Sequence, residues 1–165
     1  MKVLVFLAVL IAARLAWWWF VGRNVPKFPP INLDPMDPKV IAARQNARDS
    51  VPRLRELFAL HPESSNIKIP FTTSSGVTEF LWAQILSWDG ASLRVLYLTP
   101  PVTHTGRLER EHTHPESDIV DWVVQLPTGK YIGGFSTRVM FAKARELYGT
   151  LPPILAKEEP KYESM

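Results

Sequence analysis

From Val3 to Val21 nineteen residues run apolar with one interruption, Arg14. As an α-helix rising about 1.5 Å per residue, such a stretch reaches roughly 28 Å, close to the thickness of a bilayer's hydrocarbon core. Arg14 lies toward the second end, where its long stem carries the guanidinium to the headgroups. Even at mid-bilayer one arginine costs about 2.5–3.5 kcal/mol on insertion scales, and apolar neighbours offset that. Trp17, Trp18 and Trp19 follow directly, and indole rings favour the bilayer interface because the ring is apolar while its N–H needs a partner. Residues 1–24 therefore read as one transmembrane anchor. The rival reading is a cleaved signal peptide, with Lys2 as its basic start and Val3 to Ala13 as its apolar core. Its cleavage site is poor, because a cut after Ala16 puts Arg14, and a cut after Ala13 puts Ile11, where a small residue is required. Orientation is a tie: the α-amino group and Lys2 balance Arg23 and Lys27 across the span.

The same segment accounts for the basic character of the chain. Net charge is +3, but residues 1–30 hold Lys2, Arg14, Arg23 and Lys27 with no acid, leaving 15 basic against 16 acidic groups beyond them. A near-neutral folded part offers no concentrated basic surface, which argues against a nucleic-acid partner. The absence of cysteine removes disulfides, thiolate-bound metals and thiol nucleophiles from consideration. With 165 residues there is room for one domain of ordinary size.

Residues 25–36 form a Pro-rich linker, an extended spacer that no regular helix can occupy. Asp37-Pro38 is a helix start, a capping side chain ahead of a ring that needs no N–H partner. Val40, Ala43, Ala47, Val51, Leu54 and Phe58 then recur on one helical face, interrupted at Pro52, which predicts a kink or two helices with Ser50 capping the second. Arg44, Arg48 and Arg55 form a cationic stripe that reads as a solvated face. From residue 66 the period changes to two. Ile67, Ile69 and Phe71 alternate against Lys68, Pro70 and Thr72, a strand expected at a sheet edge. Val77 to Trp88 and Ser92 to Leu98 follow as strands around a tight Asp89-Gly90 turn. Arg107 to Thr113 reads as a more polar strand and Ile119 to Leu126 as a central one. Gly133-Gly134 marks a bend before a helix that Ser136 or Thr137 caps and Gly149 ends, and residues 150–165 read as a charged tail. The expected fold is α+β, a small antiparallel sheet of about five strands flanked by an N-terminal helical segment and a C-terminal helix, preceded by one transmembrane helix.

Among polar residues Asp121 is the most informative. Its strand face carries Ile119 and Val123, while Trp122 joins Val120 and Val124. A carboxylate there needs a cation, and Arg138 in the GGFSTR segment is the candidate, either as a structural ion pair or beside a ligand-binding or catalytic acid. Trp82 shares a face with Phe80, Gln84 and Trp88, opposite Glu79. Such aromatics are core or a stacking site, with Trp88 the better candidate for a contact surface. His112 and His114 would point to one side of a strand amid Glu109, Glu111, Glu116 and Asp118, a weak divalent-metal signal without further placed ligands. No phosphate loop, H-E-x-x-H helix or G-x-S-x-G elbow is present, and no cofactor is implied.

The order of DPKVIAARQNA, VTEFLWAQI, a TPP turn, DIVDWVV and GGFSTRVM resembles the YegJ-like family of uncharacterised bacterial domains over about residues 37–149. The combination of Glu79 to Trp82, Asp121-Trp122 and Gly133 to Arg138 carries the likeness. The chain departs from that pattern at His112-x-His114 and at Phe80. The resemblance implies a bacterial α+β domain and supplies no catalytic residue, and export signals in the family imply an outward-facing domain. The expected function is a noncatalytic module, tethered to the bacterial inner membrane by residues 3–21 and presenting a protein- or envelope-binding surface. Candidate binding residues are Glu79, Trp82, Trp88, Asp121, Trp122, Gly133, Gly134, Thr137 and Arg138. The alternatives are secretion to the periplasm after signal cleavage, a hydrolase or metal-dependent enzyme using Glu79, Asp121 or His112 and His114, and a bacterial competition or immunity protein.

Overall fold

A computed structural model describes residues 28–163. The anchor expected at 3–21 lies outside the described residues, and among those described no helix is long and apolar enough to cross a membrane. Residues 28–36 are irregular up to a turn closed by Asp37 N–H on the Asp34 carbonyl at 3.0 Å.

Helix α1 (Pro38–Asp49) begins as its sequence requires, with the Asp37 carboxylate accepting the Lys39 N–H at 2.8 Å and Pro38 in the first turn. Pro52 cannot donate to a continuing ladder, so α2 (Val51–Leu60) is a separate helix. Ser50 does not cap it. The Ser50 hydroxyl instead donates back to the Asn46 and Ala47 carbonyls at 2.7 and 3.1 Å, closing the end of α1. Both helices bury Val40, Ala43, Ala47, Val51 and Leu54 of the face read from the periodicity, with Leu57 buried at its end and Phe58 only partly buried.

The sheet has six strands rather than five: β1 (Ser65–Thr72), β2 (Thr78–Asp89), β3 (Ser92–Tyr97), β4 (Glu111–Pro115), β5 (Asp121–Gln125) and β6 (Tyr131–Gly133). All neighbours are antiparallel in the order β4-β3-β2-β1-β5-β6. Ile67, Ile69, Leu81, Ala83, Ile85, Leu93, Val95, Trp122 and Val124 join Leu54 and Leu57 in one core. Each fully buried aliphatic side chain of this size stabilises the fold by about 1.5–3 kcal/mol.

Three strand expectations are corrected. β1 is an interior strand, not an edge. The Lys68 carbonyl accepts the Val120 N–H at 2.9 Å, and Pro70, two residues on, turns its nitrogen to the same flank beyond the start of β5 opposite Lys68, where no strand calls for a donor. The polar strand β4 covers Glu111–Pro115, its earlier residues belonging to a loop. In β2 the register shifts between Ile85 and Ser87. This one-residue bulge moves Trp88 off the Trp82 face and onto the core face opposite Leu93.

Helix α3 (Phe135–Tyr148) starts before Ser136, with Gly134 as its N-cap at φ 69°, and ends at Gly149 at φ 71°. The segment read as a tail folds back through α4 (Pro153–Glu158) and a 3-10 turn, Glu159–Lys161. Tyr162 then pairs in parallel with Tyr131 of β6 and packs on Phe141, with ring centroids 5.0 and 5.4 Å apart.

Candidate functional site

The corner between β5, β6 and α3 collects six of the nine candidate residues. Asp121 opens β5 and is 1% exposed. One of its oxygens accepts the N–H groups of Trp122 at 2.8 Å and Phe135 at 3.0 Å, and the other accepts the Ser136 N–H at 2.8 Å together with the Ser136 hydroxyl. A helix start presents N–H groups without intrahelical acceptors and a partial positive charge, so a carboxylate supplied by the sheet serves both needs. Burial pushes the Asp121 carboxyl above its ordinary value and these four donors pull it back. Arg138 is not its partner. That guanidinium donates to the Gly133 carbonyl at 3.2 Å and to the Glu163 carbonyl, and lies 5.7 Å from the Tyr162 ring centroid. Asp121 thus fastens the final helix to the sheet through the helix's own N–H groups rather than through a cation.

Trp122 is fully buried and donates its indole N–H to the Ala47 carbonyl at 3.0 Å and to Ser50 Oγ at 3.1 Å, locking β5 to the junction of the first two helices. Gly133 is required beside it. At φ 88°, a Cβ there would meet the Trp122 carbonyl oxygen and stand 2.7 Å from its ring. Gly134 faces Tyr162 in the same way, and Thr137 lies within hydrogen-bonding reach of the Tyr162 hydroxyl, which burial raises.

The other candidates lie elsewhere. Glu79, at the start of β2, clamps the 98–110 loop by accepting the Val102 and Thr103 N–H groups at 2.7 Å each and the Thr103 hydroxyl at 2.6 Å. Those donors, the Thr103 hydroxyl first, hold its carboxyl below the usual value. Trp88, half-buried against Phe58, donates to Glu116 at 3.2 Å beneath the Arg55 guanidinium, 4.5 Å from the ring centroid. One side of the ring packs against the core, and the Arg55–Glu116 ion pair lies over it. Trp82 stays on the opposite face beside Lys68.

His112 and His114 do point to one side of β4, their ring centroids 6.3 Å apart. His114 has both nitrogens engaged, with Asp118 at 2.9 Å and the Tyr97 hydroxyl at 2.8 Å, and His112 Nε2 stands 2.8 Å from the Glu109 carbonyl. No group of three or more His, Asp or Glu side chains among the described residues is placed to hold a metal ion. The Asp118–His114–Tyr97 row has the order of an orienting acid, a base and a hydroxyl. Tyr97 is only 2% exposed and burial pushes its phenol up to about 12, so the hydroxyl has neither the access nor the acidity of a nucleophile. The sequence marks Ser136 only as a possible helix cap and does not mark Tyr97 or Tyr162, because each gains its meaning from a partner at least 15 positions away, which only the tertiary register supplies.

Two open depressions, one between Leu60–Ser64 and Gln125–Pro127 and one between Arg48, Val51 and Pro115–Ser117, include none of the candidates. Comparisons of the chain with family models, curated proteins and solved structures find no match.

Proposed function

We propose that the chain is a noncatalytic binding module, held at a bacterial inner membrane by residues 3–21, with its folded unit facing the periplasm and meeting a protein or other envelope partner. One observation carries this reading: Glu79, Asp118, Asp121 and His114 are already engaged by the protein's own donors and acceptors. Glu79 accepts three hydrogen bonds, Asp121 accepts four, and Asp118, His114 and Tyr97 satisfy one another. A general acid or base needs an open site within reach of substrate, and a clamp on the protein's own backbone leaves none. The tether rests on the length and composition of residues 3–21. Bacterial origin and outward orientation rest on the resemblance to the YegJ-like family, which belongs to the same proposal.

The test uses the full chain expressed in a bacterium. The protein is expected to remain with membranes after an alkaline carbonate wash and to be digested by protease added to spheroplasts. A mature chain that begins after Trp19 and leaves with the wash overturns the tether. A stoichiometric zinc-dependent rise in melting temperature, lost in a His112→Ala/His114→Ala variant, would turn the reading toward a metal-dependent enzyme.

A further inference from the structure

Two half-buried cations, one on β1 and one on α1, stand over an aromatic pair of β2 and form no ion pair among the described residues. Lys68 of β1 faces Trp82 across the β1–β2 pair, its ammonium 5.8 Å from the ring centroid. Arg44 of α1 lies over Phe80, 4.7 Å from that ring's centroid. Phe80 and Trp82 are alternate residues of β2 and so share a face, and all four side chains are half-buried. Neither the Arg44 guanidinium nor the Lys68 ammonium makes a hydrogen bond or ion pair with a described residue. Asp121 stands opposite Lys68 in the β1–β5 register, but its oxygens are occupied by the four donors at the start of α3. Burial lowers the Lys68 ammonium from its ordinary value, Asp121 works against that, and the nearby Arg44 charge lowers it further.

For the fold alone this is a poor choice of residues. Partial burial of an ammonium that the Asp121 charge offsets only in part, and a guanidinium set near it, both oppose folding. An uncharged stem at 68 would cover Trp82 equally well. Local rules of this kind are broken where a ligand relieves the conflict. The relieving group must be anionic. A carboxylate matches the planar guanidinium in a two-point fork and takes the ammonium as a second donor, while the aromatic pair receives the apolar stem behind it. Lys68 lies on an interior strand and Arg44 on α1, both half-buried over rings rather than on a protruding loop, where a side chain can reach them and a flat headgroup plane cannot. The chain's own first thirty residues carry four cations and no acid, and their charge does not complement the site.

We propose that Arg44 and Lys68, set over Phe80 and Trp82, are the docking site for an acidic peptide segment of a protein partner. This rests on the binding-module reading and adds the partner's chemistry. The probe is fluorescein-labelled pentaglutamate, titrated against the full chain in phosphatidylcholine nanodiscs. Saturable binding is expected, at least tenfold weaker in Arg44→Gln/Lys68→Gln, weaker in Trp82→Leu, and unchanged in Arg107→Gln/Lys157→Gln, two exposed cations elsewhere. Lys68→Met is expected to raise the melting temperature while it weakens the peptide. Absence of saturable binding, equal binding by Arg44→Gln/Lys68→Gln, or a lower melting temperature for Lys68→Met overturns the site. So does binding of phosphatidylglycerol vesicles, lost in the double variant, where the peptide does not bind. A partner that cross-links equally to wild type and double variant overturns the site alone and leaves the module reading standing.

Discussion

Replacing Asp121 with asparagine removes one acceptor oxygen and the charge while keeping the volume. The carboxylate holds three N–H groups at 2.8–3.0 Å and the Ser136 hydroxyl. Asparagine keeps one oxygen, so its amide nitrogen confronts at least one of those N–H groups, donor against donor. A buried N–H left without an acceptor costs about 1–3 kcal/mol. Losing the attraction between the carboxylate and the helix start adds about 0.3–1 kcal/mol, and up to about 2 when partly buried. Against this, an amide escapes the burial that pushes the carboxyl upward. The net loss is therefore about 3 kcal/mol, the lower end of what breaking a buried charged arrangement costs. For a unit of roughly 130 residues this corresponds to a fall in Tm of roughly 10 °C. Equilibrium urea unfolding is the assay, with a lower midpoint and an unchanged slope expected. Ser136→Ala, which removes the hydroxyl and keeps the N–H, should cost only about 1 kcal/mol. A midpoint for Asp121→Asn equal to wild type, or no worse than that of Ser136→Ala, refutes the count of donors.

Glu79 is held below its ordinary value of 4.5 by the loop donors it clamps, so its contribution is present above that value and lost as pH falls through the lower folded one. The Val102 and Thr103 amides should lose hydrogen-exchange protection, relative to their intrinsic rates, as the solution becomes more acid than about pH 4.5, and in Glu79→Gln already at neutral pH; protection that persists in the variant counts against the clamp. Gly133→Ala should destabilise far more than Gly134→Ala, because the first meets a backbone oxygen and a buried indole while the second meets the movable ring of Tyr162. Equal denaturation midpoints for the two would contradict the packing. Tyr97 should ionise near 12, and the stability its neutral form contributes should be present below pH 10 and lost as pH rises toward 12. An absorbance titration in which Tyr97→Phe removes an ordinary step near 10 would show the ring to be wetter than its surroundings imply.

Local chemistry made much of the fold legible. The change of period at residue 66, the Asp89-Gly90 turn, where Gly90 takes φ 56°, and the stop at Gly149 depend on the residues in place and were read correctly. The errors share a different cause. Whether Pro70 sits at an edge depends on where β5 starts, and whether Trp88 faces the core depends on one extra residue in β2, and neither is a property of a window of sequence. The acid at 121 announced a need for compensation, but a helix start can answer that need as well as an arginine does, and the spacing from Asp121 to Ser136 carries no trace of the difference. Lys68 read as the wet side of an alternating strand because its partial burial beside Trp82, Arg44 and Asp121 depends on the tertiary arrangement.

Strand β6 has β5 on one side and would otherwise offer its outer backbone groups to any extended chain. Tyr162 bridges to Tyr131 there, the Glu163 N–H donates to the Tyr131 carbonyl at 2.9 Å, and the Lys130 ammonium holds the Pro160 carbonyl at 2.8 Å. Residues 160–163 thus act as a plug against lateral sheet growth, occupying the position that a strand from a neighbouring molecule would take during aggregation.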